Sequence, residues 1–100
     1  MYRFRSGAFR EVPHQLTQAE LSYPGAREGW NDGLAVAAIL TDMELTALIA
    51  QTRQNEAWAI DSEDSTEWDT NFIGGKRSAL ELIQAERERK RHDRENIEGR

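Results

Sequence analysis

Apolar positions recur at helical spacing through much of the chain. A helix is predicted over 42–59, because core-facing residues recur there at spacings of three and four. These residues are Leu45, Leu48, Ile49 and Thr52. Two earlier segments, 16–21 and 40–45, share the pattern Leu-Thr-x-x-Glu-Leu. A threonine and a glutamate three residues later form a capping box, so both segments predict helix starts. The first helix must end before Pro24, because the residue preceding a proline is disfavoured in helical angles.

A second helix is predicted from near Pro24 toward Leu40. It carries four small residues at spacing four, which would form a smooth face for close helix packing: Gly25, Gly29, Gly33 and Ala37. The alternative is a loop over 25–33 with the helix starting at Asp32, because interior glycines each cost about 1 kcal/mol. The apolar stretch 34–40 predicts the most deeply buried part of the chain.

The two ends of the chain and the segment before the last helix have different patterns. Tyr2 and Phe4 alternate with arginines ahead of Ser6-Gly7, which fits two short strands around a tight turn. An acidic loop is predicted over 61–75, and the last helix is predicted to begin near Lys76. Beyond residue 85 the last helix is charged and solvated.

The predicted fold is therefore mainly α: a compact bundle of three to four helices with a short N-terminal β-hairpin. One globular domain is expected over 1–85, with a charged C-terminal helical extension over 86–100. The predicted core comprises Leu34, Ile39, Leu45, Leu48, Ile49, Leu80 and Ile83.

Composition narrows the classes of function. The 100 residues include no cysteine, which excludes disulfides and thiolate zinc sites and makes the cytoplasm the expected location. The longest apolar run, 34–40, is far below the roughly 20 residues of a membrane span. His14 and His92 lie far apart in the sequence, and no serine or carboxylate has an evident catalytic partner. The sequence therefore predicts a protein that is not an enzyme and has no catalytic residue, metal or cofactor.

Charge is segregated along the chain and defines two candidate surfaces. Residues 11–75 carry twelve acidic and two basic side chains, within a net charge of −5 for the whole chain. The acidic surface, which suits a basic protein partner, comprises Asp61, Glu63, Asp64, Glu67, Trp68, Asp69 and Phe72. The alternative, basic surface comprises Arg87, Arg89, Lys90, Arg91 and Arg94. Each surface also has a purely structural interpretation. The two aromatic rings would pack into the core, and the basic residues would lie on a solvated face of the last helix.

The size, acidic balance and helical layout resemble small accessory proteins of phages and mobile elements, in particular anti-CRISPR proteins. The resemblance is one of size and charge over the whole chain. It implies a protein of the bacterial cytoplasm that inhibits a nucleic-acid-binding effector by occupying its surface.

Three functions are expected in this order. The first is a protein-binding inhibitor or regulator whose acidic surface docks on a basic, nucleic-acid-binding protein. The second is a nucleic-acid-binding protein that uses the basic helix, although interleaved acids dilute its field. The third is a small phage structural or assembly protein that self-associates through the face of Gly25, Gly29, Gly33 and Ala37.

Overall fold

Four helices make up the structure, a computed structural model that describes the backbone of residues 15–98 and the side chains of 15–92. They are α1 (Gln18–Leu21), α2 (Ala26–Ala37), α3 (Asp42–Asp61) and α4 (Glu67–Glu98). The mainly helical prediction is confirmed, and the described residues contain no strand. The predicted N-terminal hairpin lies outside them. No helix in the described part combines the length and apolar character needed to cross a bilayer.

Both predicted capping boxes are present. The Thr17 hydroxyl accepts a hydrogen bond from the Glu20 N–H at 3.2 Å, and the Thr17 N–H donates to the Glu20 carboxylate at 2.9 Å. Thr41 and Glu44 repeat this pair of bonds at the start of α3. The bond from the Thr41 backbone N–H, followed by the bond to its side chain, lowers the pKa of Glu44 below its ordinary 4.5. Each box fixes the residue at which its helix begins.

The predicted loop over 61–75 is wrong, because α4 begins at Glu67 and not near Lys76. Thr66 caps α4: its hydroxyl accepts from the Asp69 N–H at 3.1 Å, and its own N–H donates to the Asp69 carboxylate at 3.4 Å. The connection between α3 and α4 is reduced to residues 62–66.

The helix favoured around the glycines is confirmed, and its small-residue face packs on α4. A Cβ at Gly33 would lie 2.7 Å from the Lys76 carbonyl oxygen, and one at Gly29 would collide with the Phe72 backbone. From the other helix, a Cβ at Gly75 would lie 2.5 Å from the Ala26 carbonyl oxygen. Residue numbers rise together on both sides of this contact, so α2 and α4 run parallel with their backbones unusually close.

Helix α3 runs in the opposite direction and packs on another side of α4. Glu56 contacts Arg77, whereas Thr46, nearer the start of α3, contacts Gln84, nearer the end of α4. The helices therefore alternate up, down and up. One buried cluster joins α2 to α4 and comprises Leu16, Ala26, Trp30 and Ala79. The second joins α2, α3 and α4 and comprises Ala37, Leu45, Ile49 and Leu80.

Six of the seven predicted core residues lie in these clusters or against them. Ile39 was predicted wrongly: α2 ends at Ala37, and the Ile39 side chain beyond it is 81% exposed. The stretch 34–40 is for the same reason not the most buried part of the chain. Glu56, a charged residue outside the predicted core, is also buried.

Candidate protein-binding surfaces

Five carboxylates of the predicted acidic surface meet at one end of the bundle. The set, here called the acidic end, spans the last residue of α3, the connection and the first turn of α4: Asp61, Glu63, Asp64, Glu67 and Asp69. Four are exposed and Glu67 is half-buried. Among the described residues, no lysine or arginine forms an ion pair with any of them. Asp69 has a structural task as well, since it completes the cap of α4.

The two aromatic residues of this surface stack on each other. The ring centroids of Trp68 and Phe72 are 5.2 Å apart with planes 18° from parallel. Gly25, which precedes α2, and Gly29 within α2 lie against the backbones of Trp68 and Phe72. Phe72 is half-buried, while the Trp68 side chain remains 44% exposed. Phe72 therefore supports the fold, and Trp68 is left as the apolar side chain beside the acidic end.

The basic surface is partly engaged within the molecule. Arg87 donates to the Asp42 carboxylate at 2.9 Å and to the Ala37 carbonyl at 2.7 Å, so it joins the end of α2 to the start of α3. Arg91 pairs with the other oxygen of Asp42. Arg89 and Lys90 are exposed. The Arg94 side chain lies outside the described part.

A buried ion network between α3 and α4 was not predicted from the sequence. Arg77 donates to the Glu56 carboxylate at 2.6 Å and to the Glu81 carboxylate at 2.6 Å, and Arg53 also pairs with Glu81. Burial alone would lower the pKa of Arg77, but the hydrogen bonds and charges of Glu56 and Glu81 raise it overall. The network compensates the buried charge of Arg77 and joins α3 to α4. Because Arg77 and Glu56 are enclosed, they are not available to a binding partner.

An apolar surface on the outside of α3 was also not recognised from the sequence. Met43 is 84% exposed and Trp58 is 66% exposed. Between them, Ala47, Ala50 and Ala57 are exposed on the same side of the helix. The signal was available: these positions recur at three- and four-residue spacing, offset from the buried stripe, so α3 has apolar residues on two faces.

The small-residue face proposed for self-association is already occupied. Gly25, Gly29 and Gly33 lie against α4, and Ala37 is buried with Leu80. A second copy could reach this face only after α4 had left it.

The described residues hold no group of three histidine or acidic side chains that could bind a metal ion. Comparison with protein-family models, curated proteins and solved structures found no match.

Proposed function

We propose that this chain is a protein-binding inhibitor or regulator whose acidic end docks on the basic surface of a nucleic-acid-binding protein. The observation that supports this most is that the five carboxylates of the acidic end, four of them exposed, form no ion pair with a lysine or arginine of the described residues. Carboxylates that form no ion pair among the described residues can attract a basic surface and speed association with it.

The half-exposed Trp68 adds an apolar anchor to this electrostatic field. Tryptophan is enriched among residues that dominate binding energy, particularly where surrounding polar groups exclude water. Placed beside five carboxylates, Trp68 suits a shallow apolar pocket with a basic rim, the kind of surface that also contacts nucleic-acid phosphates. The basic surface offers less free charge to a partner, because Arg87 and Arg91 already form ion pairs with Asp42.

The test is binding to purified RNA-guided DNA-binding effectors, with DNA binding by each effector measured in parallel. The wild-type chain is expected to bind, to displace DNA and to lose affinity as salt rises. A variant carrying Asp61→Asn, Glu63→Gln, Asp64→Asn and Glu67→Gln should bind at least about fourfold more weakly, since even exposed ion pairs contribute about 0.2–1 kcal/mol each.

A matched control neutralises Glu28 and Glu88, two exposed acids outside the acidic end. It should bind like the wild type. Salt-independent binding, or equal affinity of the fourfold variant and the wild type, contradicts the proposal. Direct binding of the chain to duplex or single-stranded oligonucleotides that is lost on reversing Arg89 and Lys90 would favour the basic helix instead.

A further inference from the structure

A second exposed tryptophan lies beside the acidic end. The Trp58 side chain is 66% exposed, and Asp61 follows it by three residues in α3. Residues three apart on a helix are neighbours on its surface, so the Trp58 indole and the Asp61 carboxylate share one side of α3. Trp68, in the first turn of α4, is 44% exposed. The carboxylates of the acidic end therefore have an exposed indole on each of the two helices that meet there.

Hydrogen bonds hold the backbone that carries these groups. The Ser62 N–H donates to the Trp58 carbonyl at 2.9 Å, which continues the hydrogen bonding of α3 past Asp61. The Ser62 hydroxyl accepts from the Asp64 N–H at 3.2 Å, and the Thr66 hydroxyl caps α4. A surface whose backbone is held before binding loses less conformational entropy when a partner arrives. The two indoles and the carboxylates are therefore attached to a preformed backbone.

We propose that the acidic end, with Trp58 and Trp68, selects arginine over lysine, so that its partner is an arginine-rich segment of a protein. This rests on the proposed docking of the acidic end on a basic surface, and it names the side chain that is recognised. A guanidinium is planar, is more weakly hydrated than an ammonium and donates a fork of N–H groups to a carboxylate. It also stacks on an indole face, whose electrons attract the cation. A lysine ammonium has the same charge, but it cannot stack as a plane or form two parallel hydrogen bonds to one carboxylate.

Charge complementarity identifies this partner. The carboxylates of the acidic end form no ion pair with a lysine or arginine of the described residues. A purely apolar partner would remove these carboxylates from water without replacing their hydrogen bonds. A nucleic acid would be repelled by them, because its backbone is negatively charged. A basic segment without flat side chains would leave both indoles without a stacking partner.

Two peptides of equal length and charge test the selectivity. One alternates arginine with glycine, and the other has lysine in place of every arginine. Isothermal titration calorimetry at low ionic strength measures both affinities. The wild-type chain should bind the arginine peptide at least about threefold more tightly, because a cation–π contact at an exposed site contributes about two- to fivefold in affinity. The arginine peptide should also change the intrinsic fluorescence, since Trp58 and Trp68 are exposed whereas Trp30 is buried.

Trp58→Ala should weaken binding of the arginine peptide by about two- to fivefold and leave the affinity for the lysine peptide nearly unchanged. Its Tm should match the wild type, because the side chain is mostly exposed. Met43→Ala, which shortens an 84% exposed side chain at the start of the same helix, is the matched control and should change neither affinity.

Equal affinity for the two peptides, or an equal loss for both in Trp58→Ala, overturns the selectivity for arginine and leaves the electrostatic docking of the acidic end standing. Failure to bind either peptide overturns it as well. The proposed function is decided separately, by binding of the chain to the effector.

Discussion

Arg77 is a charged side chain held inside a helical bundle. Its guanidinium is almost fully enclosed, as is the carboxylate of Glu56. Removing a charge from water is costly, and the geometry offsets this cost only while every partner is in place. The stability of the α3–α4 contact therefore depends on both members of the pair being present.

Glu56→Ala should lower the free energy of unfolding by about 3–5 kcal/mol, the typical cost of leaving one buried charge without its partner. Urea denaturation followed by circular dichroism measures this. Glu63→Ala is the control, because that exposed acid should change stability by less than about 0.5 kcal/mol. A cost below about 1 kcal/mol for Glu56→Ala would show that Glu81 alone satisfies Arg77.

Gly29→Ala should destabilise the protein although alanine is the better helix former. In an exposed helix the exchange would gain about 1 kcal/mol. Here the added methyl group would overlap the Phe72 backbone, which cannot move aside as a flexible side chain can. Thermal unfolding should show a lower Tm for Gly29→Ala. Asn31→Ala, at an exposed position of the same helix, should equal or exceed the wild-type Tm.

Single residues differ in how far the sequence predicts them. The glycine face was predictable because its period of four lies within one short segment. Burial of Glu56 was not, because its partner Arg77 lies 21 residues away and only the packing of α3 on α4 brings them together. Ile39 was predicted wrongly because an apolar residue two positions past a helix end looks the same in sequence as one inside the helix.

At the scale of elements, the start of α4 was mispredicted although the sequence there contains a helix cap, because two glycines further along indicated a loop. Thr66-Glu67-Trp68-Asp69 repeats the threonine and acid of the two capping boxes that were recognised. Gly74-Gly75 downstream indicated a loop. The glycine at 75 is instead required inside the helix, where Ala26 of α2 leaves no space for a side chain. At this position the packing of α2 on α4 outweighs the low helix propensity of glycine.

Thr66→Ala should cost about 1 kcal/mol, as for other threonine N-caps. The loss of the hydroxyl leaves the Asp69 N–H without its acceptor and frees the first turn of α4. Urea denaturation measures the cost, and Ser65→Ala in the same connection is the control. Equal losses for the two variants would mean that the cap does not hold the start of α4.

The capping box of α3 makes one contribution to stability dependent on pH. Because the folded-state pKa of Glu44 is lowered, its contribution is present above the ordinary value of 4.5. It is lost as the pH falls through the lowered pKa. The difference in Tm between wild type and Glu44→Ala should therefore be largest near neutral pH and shrink in acid. Asn31→Ala, an exposed substitution that removes no titratable group, is the control and should show no such pH-dependent difference.

At the scale of the whole molecule, five acidic side chains gather where α3 ends and α4 begins, whereas acidic and basic side chains are interleaved at the opposite end of this helix pair. The acidic end was predictable because its residues are nearly contiguous in sequence. The exposed apolar residues on the outside of α3 were not recognised, since a helix with apolar residues on two sides is usually assigned one buried stripe.

The parallel pairing of α2 with α4 has a consequence for how the chain acquires its structure during synthesis. Helix α2 finishes at Ala37, but the surface that covers its glycines begins at Trp68, after all of α3 has been made. A nascent chain that ends within α3 can form isolated helices, yet it has no partner for that face and short helices alone are marginal in water. Folding must wait for a contact between distant parts of the sequence, which slows it. A fragment of residues 1–66 should accordingly lack cooperative unfolding and be degraded readily by protease, whereas the full chain resists.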